Sequence, residues 1–205
     1  MKILLATTNH GKKNELQAML GDFDIDICCL DDFDDMVEVV EDGATFAENA
    51  RKKALGYAEQ SGLWTLADDS GLQVDYLGGA PGVHSARFSE EENDRANPKN
   101  LIDHRNIKKL LTLMEDVPME KRSARFVCAL ALAKPCKIVI ETFGTLEGQI
   151  LTEPRGEGGF GYDPVFFVPQ IGKTTAEMPK EQKNSISHRH NALIKLLPLL
   201  QRLIA

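Results

Sequence analysis

A mixed α/β domain is the fold class this sequence predicts, and three observations predict it. Short apolar runs that read as strands alternate along the chain with segments of helical period. No internal repeat and no linker interrupts that alternation. The 205 residues, 42% of them hydrophobic, are enough for one sizeable core, so one domain spanning 1–205 is expected.

The elements follow in order. MKILLAT reads as a short buried strand, then a polar turn leads into a helix from about Gly11 to Leu20. IDICCL is a second strand. The acidic run DDFDDMVEVVEDG is a poor helix former and reads as an exposed connection. Thr45 with Glu48 three residues on forms a capping-box signature, opening a helix whose buried face holds Phe46, Ala50, Ala54, Tyr57 and Ala58. LWTLADD reads as a strand ending in acid, followed by a Ser-Gly turn and further strands near LQVDYL and HSARF. A proline suited to a first helical turn opens PKNLIDHRNIKKLLTLMEDV, which has helical period. RFVCALALA and KIVIETFGTLEGQI form paired strands joined at KPCK, and EPRGEGGFGYDP is a glycine-rich loop before the short strand VFFV. A last helix covers SHRHNALIKLLPLLQRLIA, with Ser187 as its N-cap and Pro198 as a kink.

Composition removes several function classes. No run of about 18 apolar residues occurs, so no membrane span is expected, and the N-terminus turns polar too soon for a signal peptide. A net charge of −7 argues against general nucleic-acid binding, which needs a basic face. The cysteines, Cys28, Cys29, Cys128 and Cys136, lack C-x-x-C spacing and lie in apolar or strand-like segments. They read as reduced core thiols of a cytoplasmic protein.

Four segments concentrate chemistry. ATTNHGKKNE joins a strand to a helix, where backbone N–H groups, the helix dipole and Lys12 or Lys13 suit a phosphate, or where lysines are simply solvated. Asp68 and Asp69 alternate across their strand, so they are not expected to share a proton. One would face a ligand while the other braces the turn. A lone carboxylate suits a magnesium ion arriving with substrate phosphates, and Glu41 is the best placed second carboxylate. In GEGGFGYDP, Phe160 either stacks on a flat base or folds back on the core. Lys183, His188 and Arg189 collect basic side chains where a helix starts, against the dipole preference. The donors of His188 and Arg189 could read a carbonyl on a ligand. Glu48 and Lys52 look like an ordinary i, i+4 surface pair, whereas Lys53 shares a face with Asn49 and could reach a phosphate.

The stretches TTNHGKKNE, TFAENARKKA, LADDSGLQVDYLGGAPGVHSARF, GGFGYDPVFF and EQKNSISHRHNAL together resemble the inosine/xanthosine triphosphate pyrophosphatases, which hydrolyse non-standard purine nucleoside triphosphates. They occur in that family's order and cover most of the chain. The resemblance implies a long central mixed sheet flanked by helices in two lobes with an active-site cleft between them. It also implies a homodimer and a magnesium requirement. On these positions it implies that Thr7, Thr8, Asn9, His10, Gly11 and Lys12 grip the triphosphate with Lys53 as helper. Asp69 is implied as catalytic carboxylate and metal ligand, Glu41 as second metal ligand and Ser70 as a substrate contact. Phe160, Gly161, Tyr162 and Asp163 are implied to hold base and sugar, Lys183 to reach the nucleotide, and His188 with Arg189 to read the base edge. A related pyrophosphatase of different base preference, a metal-dependent phosphatase of small metabolites and a non-catalytic nucleotide sensor are the competing readings.

Overall fold

The computed structural model describes residues 1–8, 16–17, 25–89 and 98–204. The helix expected from about Gly11 to Leu20 lies outside them, apart from Leu16 and Gln17. Seven strands form one sheet: β1 (Lys2–Leu5), β2 (Asp26–Cys29), β3 (Trp64–Val74), β4 (Ser123–Lys134), β5 (Lys137–Ile150), β6 (Phe166–Val168) and β7 (Lys173–Thr174). Their order is β2-β1-β3-β4-β5-β6-β7. β1 pairs in parallel with both β2 and β3, whereas β6 pairs antiparallel with β5 and β7, so the sheet is mixed as expected. Among the described residues the longer helices are α1 (Phe46–Ser61), α2 (Lys99–Leu113), α3 (Lys180–Ile186) and α4 (His188–Ile204). No helix among the described residues is long and apolar enough to cross a membrane.

The chain divides into two compact units, and neither is continuous in sequence. Unit 1 takes Met1–Ser70, Cys128–Gly144 and His188–Ala205, while unit 2 takes Gly71–Val127 and Thr145–Ser187. Each has its own apolar core. In unit 1, Ile3, Leu5 and Leu66 of the parallel strands pack with Leu130 and Leu132 of β4 and with Ala192, Leu193, Leu196 and Leu200 of α4. Those α4 positions recur at three- and four-residue intervals, so a single stripe of the helix is buried. In unit 2, Ile107 and Leu110 of α2 meet Leu72, Val74, Phe126 and Phe166. Phe126 and Phe166 stack with centroids 4.3 Å apart.

The chain departs from expectation at four places. β3 does not stop at the acids but runs on through Ser70 and Gly71 to Val74. The acids therefore stand in mid-strand, and apolar Leu72 and Val74, fully buried, carry the strand into unit 2. HSARF forms no strand: Gly82–Arg87 is a 3₁₀ helix. Ser85 is the reason, because its Oγ accepts from Leu72 N–H at 2.8 Å and donates to the Gly82 carbonyl at 2.6 Å. A coiled chain thus presents a side chain to β3 in place of a paired backbone. Helix α3 was not expected, and Ser187, with extended backbone, separates it from α4. Finally, Cys136 is exposed at the β4–β5 turn with φ 64°, while Cys28, Cys29 and Cys128 are buried free thiols.

Candidate active site

In unit 1 the acidic connection lies along α1 and is tied to it. Val37 N–H donates to Gln60 Oε1 at 2.7 Å and Gly43 N–H donates to Asn49 Oδ1 at 2.7 Å. Thr45 caps α1 through its hydroxyl, which accepts from Glu48 N–H at 3.2 Å. Glu48 reaches back to Ala44 N–H, one residue earlier than the usual reciprocal bond. Lys52 pairs with Asp42 rather than serving the expected surface pair with Glu48. This strapping fixes Glu41, whose carboxylate accepts from Lys53 Nζ at 2.6 Å.

Lys53 is the centre of an acidic environment. Burial pushes its pKa down, but Asp68, Glu41 and Asp69 push it up and prevail, so the ammonium is held charged. Asp68 is the innermost of these acids. Its side chain is 1% exposed, Ser70 Oγ donates to its Oδ2 at 2.6 Å, and the 3% exposed Arg189 lies 3.5 Å from the same oxygen. Arg189 Nη2 also stands 3.5 Å from Ser70 Oγ. Strand alternation leaves Asp69 less deeply buried than its neighbour, with Oδ1 accepting from Ser70 N–H at 3.0 Å. The two carboxylates thus differ in burial, Asp68 buried and Asp69 half-buried with its Oδ2 enclosed. Asp68 braces, as one acid of the pair was expected to do, but it braces Arg189 rather than a turn. Thr7, half-buried, and Thr8, exposed, follow β1, which pairs directly with β3. Asn9, His10, Gly11 and Lys12 lie outside the described residues.

In unit 2 the glycine-rich loop is built around Asp163, which is 2% exposed. Its Oδ2 accepts from Phe160 N–H at 2.7 Å and from Lys183 Nζ of α3 at 2.5 Å, and its Oδ1 accepts from Thr175 Oγ1 at 2.8 Å. Gly159 is required here: its φ is 77°, and a Cβ would collide with the Asp163 carboxylate. Gly161 N–H donates to Asp103 of α2 at 2.9 Å. Tyr162 is buried, its hydroxyl donating to the Ser85 carbonyl at 2.9 Å, and anchors the loop from below. Phe160 is left 36% exposed, so the loop does not bury it. Lys183 and Lys99 hold their ammonium groups 4.6 and 5.0 Å from its ring centroid.

The structure therefore gathers Glu41, Lys53, Asp68, Asp69, Ser70 and Arg189 in unit 1, and Phe160, Gly161, Tyr162, Asp163 and Lys183 in unit 2. Lys99 and Asp103 escaped the sequence reading because they lie about 60 residues from the loop they touch and carry no motif. Chemically, the first group can hold polyanion or cation, since it carries fixed charges of both signs. The second can offer a flat apolar face beside positive charge.

Comparison with known proteins identifies the family. The Ham1 family model matches residues 3–199. A dITP/XTP pyrophosphatase of Desulforamulus reducens is 50% identical, over 99% of this chain and 97% of that protein. One from Geobacillus kaustophilus is 49% identical, over 95% and 92%. A solved structure of a HAM1 protein from Coxiella burnetii superposes with a TM-score of 0.88 at 40% identity, covering 98% of this chain and 99% of that one. With nearly every residue inside the match, the chain belongs to the Ham1 family.

Proposed function

We propose that the protein hydrolyses non-standard purine nucleoside triphosphates, dITP, ITP and XTP, to the monophosphate and pyrophosphate, clearing them from the nucleotide pool. The observation that carries this is the β3 acid pair. Asp69, half-buried, helps hold Lys53 charged, while Asp68 is engaged by Ser70 and Arg189. Identity of about 50%, over nearly the full length, to relatives that bear the name dITP/XTP pyrophosphatase supports the substrate class.

Among the described residues, no group of three or more His, Cys, Asp or Glu could hold a metal ion unaided. Magnesium that arrives on a triphosphate asks for less, one or two carboxylates and its own waters. Asp69 and Glu41, both close enough to Lys53 to shift its pKa, fit that demand. Bound there, magnesium would offset phosphate charge and lower the pKa of a coordinated water. Asp69 would take the proton of the water that attacks the α-phosphorus. Lys53, with Thr7, Thr8 and the Asn9–Lys12 segment, would hold the phosphates and balance charge developing on the leaving pyrophosphate.

Base selection follows from donors. In unit 2, Phe160 would offer a stacking face to a base. As a separate feature of unit 1, the donors of His188 and Arg189, the guanidinium held by Asp68, suit the 6-oxo group of hypoxanthine or xanthine. Adenine presents an amino donor at that position, and sites built on such bonds discriminate by about 10⁴–10⁵. Guanine shares the 6-oxo group, so its rejection falls to the 2-position. The 205 residues act as one catalytic domain, because neither unit is continuous in sequence. We place the enzyme in the cytoplasm, where free thiols persist, as a homodimer. Ile194, Leu199 and Leu203, exposed along α4, support association of copies.

Asp69→Asn tests the assignment. Turnover of ITP should fall by about 10³-fold or more while nucleotide affinity stays within a few-fold. A variant that stays fully active would remove Asp69 from the chemistry.

A further inference from the structure

Two lysines stand at the ring of Phe160, and they differ in what balances their charge. Lys183 is mostly buried and closes a 2.5 Å ion pair on Asp163. Lys99 is exposed in the first turn of α2 and has no carboxylate partner among the described residues. Asp103, one turn further along α2, gives its Oδ2 to Gly161 N–H instead. A cation in a first helical turn opposes the macrodipole, and an exposed cation–π contact returns little. Among the described residues, the ring face of Phe160 thus carries one positive charge with no carboxylate partner, on a flexible four-carbon stem.

We propose that Lys99 is a specificity-determining residue of the base site, favouring a purine that bears negative charge on its ring, xanthine, over neutral hypoxanthine. The inference rests on the reading of Phe160 as the surface on which the base stacks. Xanthine nucleotides lose a ring proton close to neutral pH, whereas hypoxanthine keeps its own until well into the alkaline range. A base laid on Phe160 displaces the Lys99 ammonium to its rim, where the exposed charge meets the anionic ring. Lys183 cannot supply the same preference, because Asp163 already neutralises it. Solvent and salt screen an exposed pair, so the effect is a bias of about fivefold rather than a gate.

The experiment compares pyrophosphate release from XTP and ITP, each as kcat/KM, in mildly alkaline buffer of low ionic strength with magnesium. Lys99→Met, which keeps the stem and drops the charge, should lower the XTP-to-ITP ratio about fivefold, and Lys99→Arg should restore it. An unchanged ratio in Lys99→Met overturns the inference, even if both substrates slow equally. Phe160→Ala separates the two levels. If it weakens both substrates while Lys99→Met leaves the ratio alone, stacking stands and only the role of Lys99 falls. If it affects neither, the stacking reading fails and this inference fails with it.

Discussion

Asp68 and Asp69 are the same residue type one position apart, and the strand alone makes them different. Asp68 faces inward, where losing its charge would strand Arg189 among buried atoms; breaking such a pair costs about 3–5 kcal/mol. Asp69 is less deeply buried and does not share the pair with Arg189 that the structure gives Asp68. Tyr162 shows the same economy in a neutral group. Burial first, with the Asp103 carboxylate adding to it, holds its phenol well above the ordinary tyrosine value. Lys53 is also shifted upward: burial opposes the shift, but the surrounding carboxylates win. Both folded values exceed the unfolded ones. Their stabilisation is therefore complete below about pH 10 and is lost as pH rises through the folded values. Thermal unfolding followed between pH 8 and 12 should show the melting temperature falling above about pH 10. Tyr162→Phe should begin about 1 kcal/mol less stable, through the lost bond to the Ser85 carbonyl, and then fall with a shallower slope. An identical slope would mean that Tyr162 contributes nothing to the alkaline loss.

At the scale of elements, α4 carries two basic first-turn residues and a stripe of core residues on one helix that continues through Pro198. His188 and Arg189 open it, and Ala192, Leu193 and Leu196 lock it into the core of unit 1. Its first turn lies so close to β5 that a Cβ on Gly144 would collide with the His188 carbonyl and the Ala192 nitrogen. Gly144→Ala should therefore cost about 1–3 kcal/mol in denaturant unfolding and lower kcat/KM together, since the displaced turn is the one bearing Arg189. Full stability with full activity would show that the turn tolerates the shift. Periodicity made α1, α2 and α4 legible in the sequence, and the buried face of α1 falls where the spacing of Phe46, Ala50, Ala54, Tyr57 and Ala58 put it. β3 was harder to read. Asp68, Asp69, Ser70 and Gly71 are weak strand formers, and only the pairing of neighbouring strands overrides that local preference. HSARF failed for the opposite reason, an alternation defeated by one buried hydroxyl.

For the whole molecule, an acidic chain of net charge −7 is asked to bind a polyanion, and local charge must do what the total does not. The sequence displayed the participants but not their pairing. Lys53 with Glu41, Arg189 with Asp68 and Lys183 with Asp163 join residues 12, 121 and 20 positions apart, and no spacing rule reaches so far. Those pairs fix the positions of both lysines and the arginine. The most direct test of the account supplies magnesium with ITP, XTP, GTP or ATP, one at a time, and assays pyrophosphate and orthophosphate separately. The account predicts pyrophosphate from ITP and XTP, with GTP and ATP nearly untouched and activity lost on chelation of the metal. Orthophosphate as the product, or equal turnover of all four nucleotides, would contradict it.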